Sequence, residues 1–308
     1  MLSKSQLRIL VCPVCKFVLR QEKRRLICGK CGEEYGFKYG FPVLIPEITD
    51  DVKLSMEKWD AIYEKKLKTK EYLKDMDDYQ LNHQPKIVEQ IDASKKIGKG
   101  TVYLEIGCGP GYLGLYYGKK GSMIIGIDFS TSALKIAQKF AKRFGIKNTL
   151  FVCGDITQMP FANDSFDFVY GGGTIEHFKN TKVVLTEIYR ILKKGGVSFN
   201  TVPCLNLGTL YRFRWGNIPN IPVVRQIFEF VNLNLLKGKH MSFGYELSFL
   251  ASTLKNLHKV AGFKKTDITR FDTYLVLESL PSWSKRLFTY LCVKSPLFWP
   301  MHKAVARK

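Results

Sequence analysis

About a third of the way along the chain, three closely spaced glycines follow a short apolar run. The segment reads Glu105-Ile-Gly-Cys-Gly-Pro-Gly111 and comes directly after Thr101-Val-Tyr-Leu104. Because glycine has no Cβ atom, the backbone can turn sharply after a strand and approach a ligand closely. The segment therefore predicts an α/β fold with a nucleotide or nucleoside site at a strand-to-helix turn.

An acidic residue follows this turn at the spacing used for ribose binding. Asp128 lies 21 residues after Gly107 and ends the run Ile124-Ile-Gly-Ile-Asp. A carboxylate at the end of the second strand can accept hydrogen bonds from both ribose hydroxyls. Dinucleotide-binding folds and methyltransferase folds share this arrangement, so the spacing alone leaves both open.

Three further residues favour a cofactor other than a dinucleotide. Tyr112 stands where the dinucleotide fingerprint has its last glycine. Glu105 precedes the first glycine by two positions, where a carboxylate can meet a positively charged amino-acid tail but would repel a pyrophosphate. Asp155 follows the strand-like Leu150–Gly154 and can accept a hydrogen bond from an adenine amino group.

Residues 99 to about 203 resemble the class I S-adenosylmethionine-dependent methyltransferases of the type 11 family. Five motifs in the same order carry the resemblance: Glu105–Gly111, Gly126–Ser130, Gly154–Phe161, Ser165–Val169 and Glu187–Gly196. The resemblance implies a Rossmann-like, seven-stranded methyltransferase sheet and S-adenosylmethionine as cofactor. It implies that Glu105 and the glycine turn hold the methionine part, Asp128 the ribose and Asp155 with Ile156 the adenine. The predicted cofactor-binding residues are Glu105, Gly107, Cys108, Gly109, Gly111, Asp128, Phe129, Asp155 and Ile156, and the side chain of Cys108 is expected to pack in the core.

The region after the fourth predicted strand contains the candidate catalytic residues. Glu176-His177 matches a pair that is common in this family, and His177 can act as a general base. The alternative is that Glu176 and His177 only cap the next helix. Some O-methylating relatives bind a divalent metal through a Glu at the position of Gly173, so metal-assisted catalysis is not expected. Cys204 is expected to have no catalytic role.

Four of the eight cysteines form two C-x-x-C pairs separated by twelve residues. Cys12, Cys15, Cys28 and Cys31 at this spacing predict a tetrahedral structural Zn²⁺ site, and unligated redox-active thiols are the alternative. The stretch Leu10–Pro46 resembles the zinc-ribbon family of activators of tRNA, rRNA and protein methyltransferases. In that family the ribbon stabilises or positions a partner enzyme.

These observations predict four regions. Residues 1–47 form a zinc ribbon, residues 48–98 a helical linker or lid, residues 99–280 the methyltransferase domain and residues 281–308 a basic, aromatic tail. Within the third region, residues 204–246 form an insertion that caps the acceptor, and strands at 265–268 and 273–278 form a final hairpin. In the linker, Trp59 and Tyr63 fall at helical spacing, and Tyr79 and His83 are the expected lid residues over the cofactor.

The formal net charge of +21 is concentrated in the last third, where residues 201–308 contain 16 basic and 5 acidic residues. Such a field favours an anionic membrane surface or RNA as partner, and a general solubility device is the alternative. The aromatic and basic tail fits an interfacial helix, and the alternative is that it packs on the domain's own sheet. No apolar run long enough for a transmembrane helix and no secretory signal are seen, so a cytoplasmic protein is expected, peripheral at the membrane if lipid is its partner.

Three functions compete at this stage. The first is a methyltransferase whose acceptor is a lipid, a quinone or a lipid-linked sugar at a membrane surface. The second is a methyltransferase that acts on rRNA or tRNA. The third is a non-catalytic methyltransferase activator that uses the ribbon alone, and the complete set of cofactor motifs argues against it.

Overall fold

The computed structural model describes residues 1–45, 50–241, 244–271 and 281–308, with backbone only at 50–55 and at 211, 212, 214 and 215. Its largest element is a mixed sheet whose central strands are parallel: β6 (Val102–Ile106), β7 (Met123–Asp128), β8 (Thr149–Gly154), β9 (Phe166–Gly172) and β10 (Leu192–Pro203). The spatial order of these five is β10-β9-β6-β7-β8. Almost every residue of β6 to β8 is buried, as expected for parallel strands that are covered on both faces.

Helices cover both faces of this sheet. They are α4 (Gln84–Ser94), α5 (Tyr112–Lys119), α6 (Thr131–Arg143), α7 (Thr181–Ile191) and α9 (Ala251–Val260). Helix α6 shows why these segments are helical: the Ser130 hydroxyl accepts the N–H of Ala133 as N-cap, and the apolar stripe that includes Leu134, Ala137 and Phe140 is buried. The architecture is a Rossmann-like α/β fold, as predicted.

The N-terminal region joins this sheet. It contains α1 (Lys4–Ile9), a small sheet of β1 (Leu19–Glu22), β2 (Arg25–Cys28) and β3 (Glu34–Tyr35), and then β4 (Phe37–Lys38) and β5 (Phe41–Leu44). Strand β5 pairs in parallel with β8 through Val43–Cys153 and Leu44–Gly154. The described sheet therefore has nine strands and not the seven expected, and two of them come from the N-terminal residues 1–45.

The C-terminal end of the chain also belongs to the sheet. Strand β14 (Met301–Arg307) lies between β10 and β13 (Lys265–Arg270) and is antiparallel to both. The expected strand at 265–268 is present as β13, whereas the one expected at 273–278 lies outside the described residues. Residues 301–307, which were predicted to belong to a separate tail, therefore form a strand of the sheet. The strand escaped notice because its buried positions are His302, Ala304 and Ala306, whose small or polar side chains give a weak alternating signal.

The linker, the insertion and the last third of the chain contribute further helices and short strands. The linker forms α2 (Asp50–Thr69), α3 (Tyr72–Asp78) and a π-helical turn at Tyr79–His83. The insertion contains a 3₁₀ helix (Leu207–Trp215), β11 (Ile218–Pro219), α8 (Pro222–Glu229) and a π-helical segment (Phe230–Leu235), and β12 (Leu247–Ser248) follows it. The last third also contains α10 (Ser282–Lys294). Among the described residues, no helix is both long and apolar enough to cross a membrane.

The position of β14 leads to a stability prediction. Ala306 is fully buried and faces neighbours on two strands, Ser198 of β10 and Thr266 of β13. Ala306→Asp places an unpaired carboxylate in the sheet and is expected to lower the free energy of unfolding by about 3 kcal/mol or more. Arg307→Asp, at the exposed neighbouring position, is the control and should cost less than about 1 kcal/mol. Urea denaturation followed by circular dichroism measures both, and equal losses would show that the last strand does not contribute to the core.

Candidate functional site

The three glycines of the turn have backbone conformations that other residues rarely adopt. Gly107, Gly109 and Gly111 all have positive φ angles, of 58°, 50° and 69°. A Cβ atom at Gly107 would lie 2.6 Å from the side chain of Thr174, and one at Gly109 would lie 2.7 Å from the hydroxyl of Tyr63. Gly111 is the N-cap residue of α5. The three glycines therefore allow both the turn and the close approach of neighbouring side chains.

Asp128 connects this turn to the end of β7. Its Oδ2 accepts the backbone N–H of Gly109 at 2.8 Å, and its Oδ1 accepts the N–H of Ser130 at 2.8 Å. Burial raises the pKa of Asp128 to about 6, and these N–H donors act in the opposite direction. Each carboxylate oxygen has a further lone pair, so the group can still accept hydrogen bonds from a ligand.

A cleft of about 820 Å³, including the part open to solvent, lies above the carboxyl ends of β6 to β9. This is the place expected for a small-molecule site in an α/β fold. Five predicted site residues line it: Gly107, Asp128, Phe129, Ile156 and His177. The other lining residues are Trp59, Tyr63, Gly154, Gly172, Gly173, Thr174 and Phe178.

The remaining predicted residues of the glycine turn and the strand ends lie behind this lining. Glu105 is buried, and its Oε2 accepts the N–H of Gly114 at 2.9 Å. Asp155 caps the short 3₁₀ helix 156–158 by accepting the N–H and the hydroxyl of Thr157 at 2.8 and 2.7 Å. The sulfur of Cys108 packs toward Gly126 of β7, as expected of a core residue. Gly109 and Gly111 contribute turn geometry and are not among the lining residues.

The lid comes from a different part of the linker than expected. Trp59 and Tyr63, one turn apart on α2, stack with ring centroids 6.1 Å apart and both line the cleft. The residues expected in this role were Tyr79 and His83, but the ring of Tyr79 packs on Tyr112, and His83 is buried 3.5 Å from Asp78. The spacing of the aromatic residues on α2 indicated a packed helix face, although it could not show that this face covers a cleft.

Helix α2 is held by hydrogen bonds at both sides of the cleft. The Asp60 carboxylate accepts the hydroxyl of Ser130 at 2.6 Å, at the start of α6. On the other side, the Lys58 ammonium donates to the carbonyl oxygens of Gly238 and Met241 in the insertion. The aromatic pair is therefore positioned by contacts with two distant segments.

His177 presents one ring nitrogen to the cleft. It lies in a 3₁₀ turn (Ile175–His177), and its Nδ1 is 2.7 Å from the carbonyl oxygen of Tyr245. A carbonyl oxygen only accepts, so in the neutral ring the proton is on Nδ1 and the lone pair is on Nε2. The ring also meets Trp59 edge-on, with centroids 6.2 Å apart. Glu176 is buried and does not line the cleft.

The loop after β9 forms one wall of the cleft. Gly172, Gly173 and Thr174 line it, and the Thr174 hydroxyl donates to the carbonyl oxygen of Ile106 at 3.1 Å. These residues were not predicted as site residues. The run of three glycines from Gly171 could have indicated this wall, because the chain lacks side chains at the end of β9 as it does in the glycine turn after β6.

The four N-terminal cysteines come together outside this cleft. All four sulfur atoms lie within 4.8 Å of one another. The distances are 3.4 Å for Cys15–Cys28, 3.5 Å for Cys15–Cys31 and 3.7 Å for Cys12–Cys31. Four sulfurs about 2.3 Å from one Zn²⁺ ion would be about 3.8 Å apart, so the arrangement fits a tetrahedral ion.

N–H and O–H groups that can donate hydrogen bonds to thiolates surround the four-cysteine cluster. The backbone N–H groups of Lys30 and Cys31 point to the Cys28 sulfur at 3.4 and 3.5 Å, and the Tyr35 hydroxyl lies 3.3 Å from the Cys12 sulfur. The other cysteines are buried elsewhere. Cys204 lies in an isolated bridge with Phe249 and does not line the cleft.

Comparison with known proteins agrees with this geometry. Residues 104–199 match the family described as "Methyltransferase domain". The chain is 29% identical over 138 residues to the demethylmenaquinone methyltransferase of Listeria welshimeri, a match that covers 44% of this chain and 52% of the relative. The chain thus spans about half the length of the curated relatives it matches.

Solved structures share the fold at low identity. One similar chain comes from the complex between the Haloferax volcanii Trm112 methyltransferase activator and its partner methyltransferase. It has a TM-score of 0.51 at 17% identity, and the match covers 81% of this chain and 96% of that one. Phosphoethanolamine N-methyltransferase 2 of Haemonchus contortus, solved with S-adenosylhomocysteine, has a TM-score of 0.50 at 22% identity, covering 71% of this chain and 51% of that one. The matched family and the curated relatives are both described as methyltransferases.

The buried Glu105 leads to a prediction about protons. Burial raises the pKa of its carboxyl to about 8, the N–H of Gly114 acts against this, and the charge of Asp128 adds to it. Because this pKa is well above the usual value of about 4.3, the carboxyl of Glu105 is mostly protonated at pH 7 in the ligand-free protein. A bound ammonium group favours the carboxylate, so S-adenosylmethionine binding at pH 7 should release close to one proton. Calorimetry in buffers of different ionisation enthalpy measures this release.

The matched variants are Glu105→Gln and Asp164→Asn. The first should abolish the release, whereas the second removes an exposed carboxylate and should keep it. The direction of this pKa shift also predicts how stability depends on pH. The stabilising contribution of neutral Glu105 is complete below about pH 4 and is lost as the pH rises through about 8. Proton release that persists in Glu105→Gln would exclude Glu105 as the carboxylate that meets the cofactor.

Proposed function

We propose that this chain is an S-adenosylmethionine-dependent methyltransferase whose acceptor is a lipid, a quinone or a lipid-linked sugar at a membrane surface. The observation that carries the proposal is that one cleft contains the glycine turn, the carboxylate of Asp128 and the ring of His177. The first two suit a nucleoside, and the third is a base with no role in nucleoside binding.

The cleft residues fit the parts of S-adenosylmethionine. The free lone pairs of Asp128 would accept from the two ribose hydroxyls, and Phe129 and Ile156 would provide apolar contacts for the adenine. Trp59 and Tyr63 would cover the bound molecule and exclude water. When bound, S-adenosylmethionine supplies an electrophilic methyl group on a sulfonium sulfur. Positioning contributes much of the rate of such a transfer, so a lined and covered cleft is the main requirement.

His177 would remove the proton of the acceptor. Its Nε2 lone pair is free to accept a proton from a hydroxyl or an activated ring carbon, while Nδ1–H donates to the Tyr245 carbonyl oxygen and holds the ring in place. The acceptor would then carry the electron pair that forms the new bond to the methyl carbon, while the bond from that carbon to the sulfonium sulfur breaks and its electron pair stays on sulfur as a neutral thioether. The proton would pass from Nε2 to water. Glu176, buried in the same turn, is proposed to hold this turn in position.

The acceptor class rests on the lining of the cleft and on the relatives. Trp59, Phe129, Ile156 and Phe178 make much of the wall apolar, which suits a ring or a prenyl chain better than a phosphate backbone. The demethylmenaquinone methyltransferases among the relatives support a quinone-like acceptor. The charge of +21 leaves RNA as the alternative to test, and neither it nor a non-catalytic activator is favoured by the relatives.

The base is tested with His177→Asn, which keeps an N–H donor near the Tyr245 carbonyl oxygen but has no basic nitrogen. The rate of methyl transfer should fall about 100-fold or more, while the Kd for S-adenosylmethionine changes less than about threefold. His240→Asn is the control, since His240 pairs with Asn232 outside the cleft lining. Transfer of labelled methyl groups into fractionated lipid, RNA and protein extracts measures the rate and identifies the acceptor. Label that enters RNA alone, or an unchanged rate in His177→Asn, would contradict this mechanism.

We also propose that the four-cysteine cluster holds one structural Zn²⁺ ion. The N-terminal region is small and joins the main sheet through two residue pairs of β5, so the metal would supply much of its folding free energy. Metal analysis should find one zinc per chain, and chelation should lower the Tm by about 5 °C or more. Cys15→Ser should abolish zinc binding, whereas Cys292→Ser, at a buried cysteine outside the cluster, should keep it. A metal-free protein with an unchanged Tm would refute the site.

A further inference from the structure

Helix α8 turns its polar side toward the protein. The Arg225 guanidinium pairs with Glu229 at 2.8 Å and donates to the carbonyl oxygen of Lys179 at 2.8 Å. The hydroxyl of Tyr245, whose carbonyl oxygen holds His177, donates to the same Glu229. The charged face of α8 is therefore packed against the wall of the cleft.

The opposite side of α8 is apolar and faces solvent. Val223, Ile227 and Phe230 follow each other at helical spacing and are between 55% and 69% exposed. Leu235 and Leu236 continue this surface beyond the helix and are also exposed. A surface helix of a water-soluble protein normally turns its apolar stripe to the core, so this orientation is reversed.

Helix α10 repeats the pattern. Trp283, Leu287 and Tyr290 lie on one face of it and are between 56% and 81% exposed. Leu297, in the following 3₁₀ turn, is exposed as well. Two helices that are far apart in sequence thus present aromatic and aliphatic side chains to solvent.

Both helices belong to segments that join the sheet at the end where the cleft lies. Strand β10 ends at Pro203, which pairs with Met301 at the start of antiparallel β14, so the insertion and α10 join the sheet at the same edge. The 3₁₀ helix at 207–215 contacts both regions. The ring of Phe213 lies 5.3 Å from that of Phe228, and Gly208 packs against the backbone of Phe298.

The charges near these faces have one sign. Lys237 and Lys239 are exposed next to Leu235 and Leu236, and Arg286 and Lys294 are exposed on α10. Residues 281–308 contain no acidic residue, and Glu229, the acidic residue between 222 and 241, is paired with Arg225. Basic side chains beside exposed leucines and aromatic rings complement the headgroups and the acyl region of an anionic bilayer. RNA would use the charges and the rings but has no partner for the exposed valine, isoleucine and leucine residues.

We propose that residues 222–239 and helix α10 form one docking surface for an anionic lipid bilayer, which places the mouth of the cleft at the membrane. The proposal rests on the lipid or quinone acceptor proposed above and extends it to the partner surface. The apolar side chains enter the headgroup region, and the lysine and arginine side chains bind the lipid phosphates.

Flotation of the full-length protein with vesicles tests the surface. Vesicles of phosphatidylcholine with phosphatidylglycerol should retain the protein, and vesicles of phosphatidylcholine alone should retain less. The triple variants Ile227→Asn/Phe230→Asn/Leu235→Asn and Trp283→Asn/Leu287→Asn/Tyr290→Asn should each lower the bound fraction about tenfold or more. Leu81→Asn/Val183→Asn/Val260→Asn is the matched control, since it replaces three exposed apolar residues elsewhere and should bind as the unchanged protein does. Thermal unfolding shows whether each variant is folded.

Two outcomes would overturn the surface. One is vesicle binding that is equal in the face variants and in the control. The other is displacement from vesicles by an RNA oligonucleotide while the face variants still bind, because the attraction would then be one of charge alone. Calorimetry with S-adenosylmethionine in the absence of vesicles tests the proposed activity separately. A protein that binds the cofactor but no vesicle refutes the surface alone, and one that binds vesicles but no cofactor refutes the activity alone.

Discussion

The buried carboxylate of Asp128 connects the parts of the site. Its two oxygens accept the N–H groups of Gly109 and Ser130, which holds the glycine turn against the end of β7. Ser130 in turn caps α6 and donates to Asp60 of α2. One buried group and its neighbour thus link the floor of the cleft, a core helix and the lid helix. Burial raises the pKa of Asp128 to about 6, and the N–H donors limit this rise.

The cleft is completed by segments that are distant in sequence. Helix α2 provides Trp59 and Tyr63 and is held by Ser130 on one side and by carbonyl groups of the insertion on the other. Tyr245, near the end of the insertion, fixes the tautomer of His177 and donates a hydrogen bond to Glu229 of α8. Trp59 and Tyr63 of α2, the ring of His177 and helix α8 are therefore parts of one connected assembly at the carboxyl ends of the central strands.

Residue patterns predicted the Rossmann-like fold and about half of the site. Gly107, Asp128, Phe129, Ile156 and His177 line the cleft as expected, because each lies at the end of a parallel strand or in the turn that follows it, and these positions follow from the pattern. Glu105 and Asp155 were correctly placed along the chain, but nearby N–H groups bind their carboxylates behind the lining. The lid was assigned to Tyr79 and His83 because many methyltransferases place a lid at this point of the chain. The spacing of Trp59 and Tyr63 along α2 does not show what that helix face covers. Strand β14 was missed because its buried alanines give little contrast with their neighbours.

Residue types and their spacing were sufficient where the constraint is local. Positive φ angles at Gly107, Gly109 and Gly111, the acidic residue that ends β7 and the clustering of four cysteines each follow from a few neighbouring residues. The tertiary structure decided the features that depend on contacts between distant segments. These are the addition of β5 beside β8, the insertion of β14 between β10 and β13, and the closure of the cleft by α2. The physical reason is that such contacts are selected by the free energy of burying two surfaces against each other, and neither surface alone carries the information about its partner.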